Sequence, residues 1–336
     1  MVRFVKVFMR KQVKDKTMSA KDLSILIPAR NEEFLARTVD DIMANIEADT
    51  EVIVVLDGAW ADPALTQHER LVVVYLPEAI GQRAATNLAA RLSKAKYIMK
   101  VDAHCSFDKG FDRKLIADMQ DDWTVVPIMR NLHAFNWLCE CGFEHYQDKG
   151  QLCPECGKKM GKKMVWEPRK GTRNHSYCFD SEPHFQYFGE YRNRPEFKEA
   201  GELTETMSLQ GSCFMLTRDK YWGLNICDES FGSWGSQGIE VAVKTWLSGG
   251  RVLCNHKTWY AHMFRTKPQN GFGFPYPQSE KKIQGAKSMA RDIFYNGKWD
   301  KAIRPLSWLV EKFAPVPGWS QEDIDNLKKL ESDTIK

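Results

Sequence analysis

LSILIPARNEEFLARTVDDIMANIEADTEVIVVL, residues 23–56, is the stretch on which the fold turns. Its two short branched runs, 23–28 and 51–56, end in turn residues and read as buried parallel strands. Between them Leu35, Val39, Ile42, Met43 and Ile46 recur at helical spacing behind Asn31, a plausible N-cap. Working outward, LVVVYL at 71–76, the helical stripe Ala85, Leu88, Ala89 and Leu92, and the strand YIMKVDAH at 97–104 repeat the unit. Strands alternating with helices in this way predict a doubly wound α/β half domain of the nucleotide-binding type.

The chain has 336 residues, enough for one large α/β domain with insertions. With 43% hydrophobic and 27% charged residues it excludes a fibrous or disordered protein. No apolar run approaches the roughly 20 residues that cross a bilayer. The opening MVRFVKVFMRKQVKDK lacks a signal-peptide core, so the expectation is a cytoplasmic protein with no membrane partner. Nine cysteines, four of them within 139–156, point to metal ligation rather than to a disulfide framework. A formal charge of +4 is too small to establish a polyanionic partner.

Beyond residue 130 aromatic, cysteine and basic residues dominate until about 208. Order returns with a strand at 212–217 and a helix carrying Ile239, Val243, Trp246 and Leu247 on one face, closed by Gly249 and Gly250. Residues 266–278 are rich in Gly, Pro and aromatics, and helical stretches are expected near 279–295 and 320–332. The division that follows is a nucleotide-sugar-binding half (1–136), a cysteine-rich insertion (137–160) and a basic, aromatic acceptor-facing segment (161–207). An acceptor- and metal-binding half with a lid loop (208–278) and a helical tail (279–336) complete it.

Asp102 and His104 stand at the end of an expected strand, where positions i and i+2 point the same way and can chelate one cation. A carboxylate with an imidazole suits Mn²⁺. Six ordered motifs surround the pair: ILIPARNE (25–32), GQRAATN (81–87), VDAHC (101–105), QGSCFML (210–216), DESFGSWGSQGIEVAVKTWLSGG (228–250) and HMFR (262–265). Together they resemble the GT-A catalytic domain of the polypeptide N-acetylgalactosaminyltransferases and of related bacterial and viral glycosyltransferases, over roughly residues 22–266 apart from the cysteine-rich stretch.

The resemblance implies a GT-A, Rossmann-like enzyme that takes a nucleoside-diphosphate sugar. Asp102, His104 and His262 would hold Mn²⁺, and Arg265 would touch the diphosphate. Asp57 would hydrogen-bond the donor nucleoside, with Pro28, Glu32 and Arg83 in the same crevice and Trp234 beside the sugar diphosphate. A cation and an arginine suit a reaction in which negative charge builds on a leaving diphosphate. The chain departs from the pattern at Gln237, where the polypeptide transferases carry an acidic residue, and at Gly238, where inverting relatives place an aspartate base. A retaining reaction is therefore expected. Glu240 is the alternative base, but with Lys244 four residues on it also makes an ordinary helix-surface ion pair, and that reading is preferred.

Cys139, Cys141, Cys153 and Cys156 have the spacing of a small zinc ribbon, with His145 as an alternative ligand beside the tight Cys139–Cys141 pair. Lys158, Lys159, Lys162, Lys163, Arg169, Lys170 and Arg173 follow, interleaved with Trp166, His175 and Tyr177, a pattern that suits a nucleic acid. The acceptor expected on this basis is a hydroxymethylated pyrimidine in DNA, of the kind bacteriophages use to mask their genomes. The alternatives are a protein Ser or Thr or a surface glycan, and an inactive domain serving as a nucleic-acid binding module.

Overall fold

A computed structural model describes residues 21–267, 271–275 and 279–334; the opening segment read above for targeting signals lies outside them. The first half runs β1 (Leu23–Ala29), α1 (Leu35–Asn45), β2 (Thr50–Asp57), β3 (Leu71–Leu76), α2 (Gln82–Leu92), β4 (Tyr97–Val101), β5 (Cys105–Phe107) and α3 (Phe111–Ala117). The long β6 (Trp123–Leu138) then leads out to β7 (Glu144–Tyr146) and returns in β8 (Gly161–Pro168). Next come β9 (Tyr177–Phe179), β10 (Phe185–Tyr187), α4 (Pro195–Glu199), β11 (Leu203–Glu205), β12 (Cys213–Thr217) and α5 (Arg218–Gly223). The chain closes with α6 (Gln237–Leu247), β13 (Arg251–His262), α7 (Glu280–Ala290), α8 (Leu306–Lys312) and α9 (Gln321–Thr334).

The main sheet has the order β11-β13-β6-β12-β4-β1-β2-β3. Strands β4, β1, β2 and β3 are mutually parallel, in keeping with the branched apolar runs of β1 and β2. Alternate residues of β1 serve two different cores. Leu26 packs with Ala85 and Ala89 of α2, whereas Leu23, Ile25 and Ile27 pack with Leu35, Val39 and Ile42 of α1. With one helix on each face the half is doubly wound, as the sequence predicts. Strand β12 inserts antiparallel between β4 and β6, and β13 runs parallel to β6, so the second half is mixed.

Three local expectations are corrected. Asn31 does not cap α1: it adopts a left-handed φ of 51°, Phe34 occupies the cap position, and the intervening turn delivers Glu32 into the site instead. The strand expected over 97–104 stops at Val101, so Asp102 and His104 are brought together by a bend rather than by strand alternation. Helix α6 is buried on every side rather than amphipathic, because β13 and α8 both pack on it.

Candidate active site

A cleft of about 540 Å³ opens at the carboxyl ends of β1, β2 and β4. In an α/β sheet of this kind that edge is where ligands bind, because the loops following the strands converge there. Pro28, Asp57, Asp102 and His104 reach it from those strand ends, and Glu32, Trp234, Gln237, His262 and Arg265 also line it. The expected constellation is thus assembled, with one exception taken up below.

Strand pairing makes the key juxtaposition. His262 is the last residue of β13 and lies opposite Cys105 of β5, which sets it beside His104. Its Nε2 is 3.3 Å from Asp102 Oδ2, and His104 Nε2 is 3.9 Å from the same oxygen. One ligand atom from each of the three falls within 4.8 Å of the others. A carboxylate with two imidazoles is a donor set that fits a first-row divalent cation such as Mn²⁺.

The surrounding charges prepare that set. Burial pushes the Asp102 carboxyl up, but the Lys100 ammonium and both histidines outweigh it and hold the group well below the usual carboxylate range. Lys100 itself is fully buried, ion-paired to Asp102 and donating to the Gly211 carbonyl at 2.8 Å. Burial pulls His262 down to about 4, against the opposing hydrogen bond with Asp102, so the imidazole is neutral at neutral pH, the form that ligates. Glu32 lies 3.2 Å from His104 Nδ1 through one oxygen and is ion-paired to Arg265 through the other. Burial raises Glu32, yet His104 and Arg265 prevail and its carboxyl is lowered. A carboxylate on Nδ1 fixes the ring and tautomer of His104 and would leave Nε2 available to a cation.

Asp57 spends both oxygens on the backbone N–H groups of Ile80 and Gly81, at 2.6 and 2.9 Å, and so shapes the loop before α2 as well as lining the cleft. Trp234 is only partly buried, edge-on to Phe274 at 6.0 Å, and is a wall of the cleft rather than a core aromatic. Gln237 donates to Cys227 Sγ at 3.1 Å. Arg83 is the exception. It lies beneath the cleft, 1% exposed, bound to Glu240 and to the carbonyls of Gly232 and Gly235, and it props the Trp234 loop from below. Glu240 and Lys244 do pair, at 3.0 Å, but in the core beside Arg83 rather than on a helix surface.

Lys100 was not singled out from sequence, although a lone charge inside the run YIMKV is a signal, since a buried ammonium demands a partner. Lys282 and Lys287 of α7 also line the cleft, and no sequence pattern marks them.

The four cysteines of the insertion converge. Cys139 and Cys156 Sγ are 3.4 Å apart, Cys141 and Cys153 Sγ 3.6 Å, and all four fall within 4.8 Å of one another. His145 is not among them; its Nδ1 contacts the Tyr146 carbonyl. The basic stretch that follows does not form a stacking platform. Tyr177 is in the core, His175 packs on Phe197 and His256, and Trp166 donates to Asp41. Lys158, Lys162 and Lys163 are ion-paired to Glu140, Glu33 and Glu144. Among the described residues no helix is long and apolar enough to cross a membrane.

Residues 24–136 match the family model for glycosyl transferase family 2. The chain is 23% identical over 310 residues to a provisionally named polypeptide N-acetylgalactosaminyltransferase 13 of Drosophila melanogaster, covering 86% of this chain and 48% of that one. It is 23% identical over 268 residues to polypeptide N-acetylgalactosaminyltransferase 3 of Homo sapiens, covering 74% and 38%. It therefore spans about half the length, or less, of these curated relatives. The crystal structure of GalNAc-T7 with UDP, GalNAc and Mn²⁺ superposes with a TM-score of 0.59 at 16% identity, over 95% of this chain and 55% of that one. The fold is GT-A, and the chain resembles the catalytic domain of the polypeptide N-acetylgalactosaminyltransferases.

Proposed function

We propose that this GT-A chain is a metal-dependent glycosyltransferase that moves a sugar from a UDP-type donor to a hydroxyl of a polypeptide Ser or Thr. The observation that carries the reading is the meeting of Asp102, His104 and His262 at the strand ends, with Arg265 tied to the same cluster through Glu32. Both the curated relatives and the solved neighbour are named as N-acetylgalactosaminyl or GalNAc proteins, the neighbour being described with UDP and Mn²⁺. When bound, a divalent cation supplies Lewis-acid neutralisation of the charge that builds on a leaving diphosphate. Arg265 adds a guanidinium held by Glu32 and by the Gly273 carbonyl at 3.1 Å. Lys282 and Lys287 enlarge the positive field of the same cleft.

Among the described residues the carboxylates lining the cleft are Glu32, Asp57 and Asp102, and each is engaged by a cation, a histidine or backbone N–H groups. No side chain fits at Gly238, where a methyl group would overlap the Leu209 carbonyl oxygen. A retaining reaction, with the acceptor proton passing to the leaving phosphate, is consistent with that set. The cysteine cluster reads as a structural zinc site, because four thiolates suit a tetrahedral soft-tolerant ion.

The test is mass spectrometry after incubation with Mn²⁺ and a panel of UDP-sugars against Ser/Thr peptides and hydroxymethylated duplex DNA. Transfer to peptide, abolished by Asp102→Ala or His262→Ala, is the expected result. Transfer to DNA alone would reassign the acceptor, and absence of transfer, donor hydrolysis and UDP binding would overturn the enzyme reading.

A further inference from the structure

We infer that the loaded four-cysteine centre governs donor affinity, acting through Trp137 and Lys162 on the Gly271–Phe272 segment that braces Arg265. The inference rests on the glycosyltransferase reading only for the identity of the ligand in the cleft. Cys139 and Cys153 are themselves walls of an apolar cluster that also contains Phe34, Trp137, Met160 and Phe272. The Phe272 ring stands edge-on to His104 at 5.2 Å, and the Arg265 guanidinium lies over that ring at 4.2 Å. The cluster therefore runs without a break from the thiols to the metal-ligating and phosphate-facing residues.

Two contacts give this continuity a direction. Trp137, two residues before Cys139, donates its indole N–H to the Gln147 carbonyl at 3.2 Å, and Gln147 lies inside the loop that the cysteine pairs close. Gly271 rests directly on that indole, since a Cβ there would collide with the ring. Lys162, opposite Trp137 in the β6–β8 ladder, donates to the Gly271 carbonyl at 3.0 Å while paired at 2.6 Å with Glu33. Phe272 in turn accepts from the Thr266 N–H at 2.8 Å, one residue past Arg265.

Cys141 and Cys156 are exposed, so the loop between the pairs has little core of its own and depends on the metal to close. Gln147 is also held to β6 by its side chain, which accepts from the Ala134 and Phe135 N–H groups and donates to the Leu132 carbonyl, so an open loop shifts the acceptor that orients Trp137 by loosening this anchor. The seat of Gly271 then changes, and with it the backing of Arg265.

Hydrogen exchange reads the coupling without any nucleotide. In Cys141→Ser protein, or in chelator-stripped protein returned to Mn²⁺, the Thr266 amide should exchange about tenfold faster while β1 and β4 stay protected. The dissociation constant for UDP with Mn²⁺, measured by calorimetry, should rise about tenfold in the same samples. Lys162→Met should raise it with zinc retained, and Lys162→Arg should restore it. Unchanged Thr266 exchange after zinc loss overturns the inference, as does collapse of protection throughout β1 and β4, which would make the centre a general fold element. If the zinc-loaded protein binds no UDP while Thr266 still responds to zinc, the glycosyltransferase reading falls and the coupling stands.

Discussion

Lys100 shows how a single residue couples the fold to the chemistry. Its ammonium is buried and faces Asp102 and the Gly211 carbonyl, so it holds a carboxylate ionised where burial alone would neutralise it. Lys100→Met leaves that charge without its partner, and the metal-free protein should lose about 3 kcal/mol of stability. A divalent cation can supply the missing charge, so thermal melts should show a larger Mn²⁺-induced rise in Tm for the variant than for the wild type. An equal rise in both would mean that Lys100 does not act through Asp102. Gly238 makes the complementary point about a base. Gly238→Asp, made to restore a carboxylate at that position, drives its Cβ into the Leu209 carbonyl. The expected result is a protein destabilised by at least the roughly 1–3 kcal/mol of ordinary overpacking, with no gain in transfer rate. A stable, faster Gly238→Asp enzyme would refute the reading of that backbone contact.

Elements were legible where one period dominates. Strands β1 and β2 announce themselves because burial on both faces permits unbroken branched runs. Strand β3 is a branched run on the part-exposed edge of the sheet, and α1 and α2 are legible because each presents one stripe to the sheet. Strand β6 was illegible for a physical reason. It serves the central sheet over its first half and the β7–β8 outgrowth over its second, its register shifts between His133 and Phe135, and Pro127, Arg130 and Asn131 interrupt any alternation. Strand β13 likewise shifts between Asn255 and Trp259. Of the site, Asp102 and His104 could be read from two letters with one residue between them, whereas His262 needed the resemblance, because only the β5–β13 pairing brings it near. The edge where β13 meets the segment before β9 gives a pH prediction. Burial, then His256 and nearby arginines, lowers His175 to about 4, and its Nδ1 is buried without a partner. Its folded pKa is below its unfolded one, so the unfolded chain binds more protons between about pH 6.5 and 4 and stability falls as pH drops through that window. His175→Phe keeps the ring against Phe197 and removes the proton site, which should flatten the slope by at most about 1.4 kcal/mol per pH unit. Denaturant melts at pH 7 and pH 5 decide it, and an unchanged slope excludes His175 as the source.

At the scale of the molecule the question is what the charge distribution recruits. A basic, aromatic stretch beside a cysteine ribbon reads in sequence as a nucleic-acid surface, yet in the fold several of its cations are paired within the molecule, some of them at the surface, and Tyr177 is taken into the core. Glu140, Glu33 and Glu144 meet Lys158, Lys162 and Lys163, the Arg169 guanidinium lies over Tyr146, and Tyr177 is core. These pairings are not legible in sequence because the acidic partners stand well away from their lysines, 129 residues away in the case of Glu33. A cation already paired releases few counterions when a phosphate replaces its partner, and the buried Tyr177 ring cannot stack on a base, while Trp166 and His175 are half-buried and engaged by Asp41 and by Phe197 and His256. Hydroxymethylated duplex DNA at 150 mM salt should therefore bind no more tightly than the about 10⁻⁴–10⁻⁶ M of nonspecific association. Joint neutralisation of Lys158, Lys159 and Lys163 should leave the proposed transfer to peptide unchanged, because the cleft is lined by other residues. Fluorescence anisotropy across a salt series is the measurement. Submicromolar binding with a steep dependence on salt, lost on neutralising those lysines, would return the acceptor to nucleic acid and make the observed ion pairs a resting arrangement that the phosphate backbone displaces.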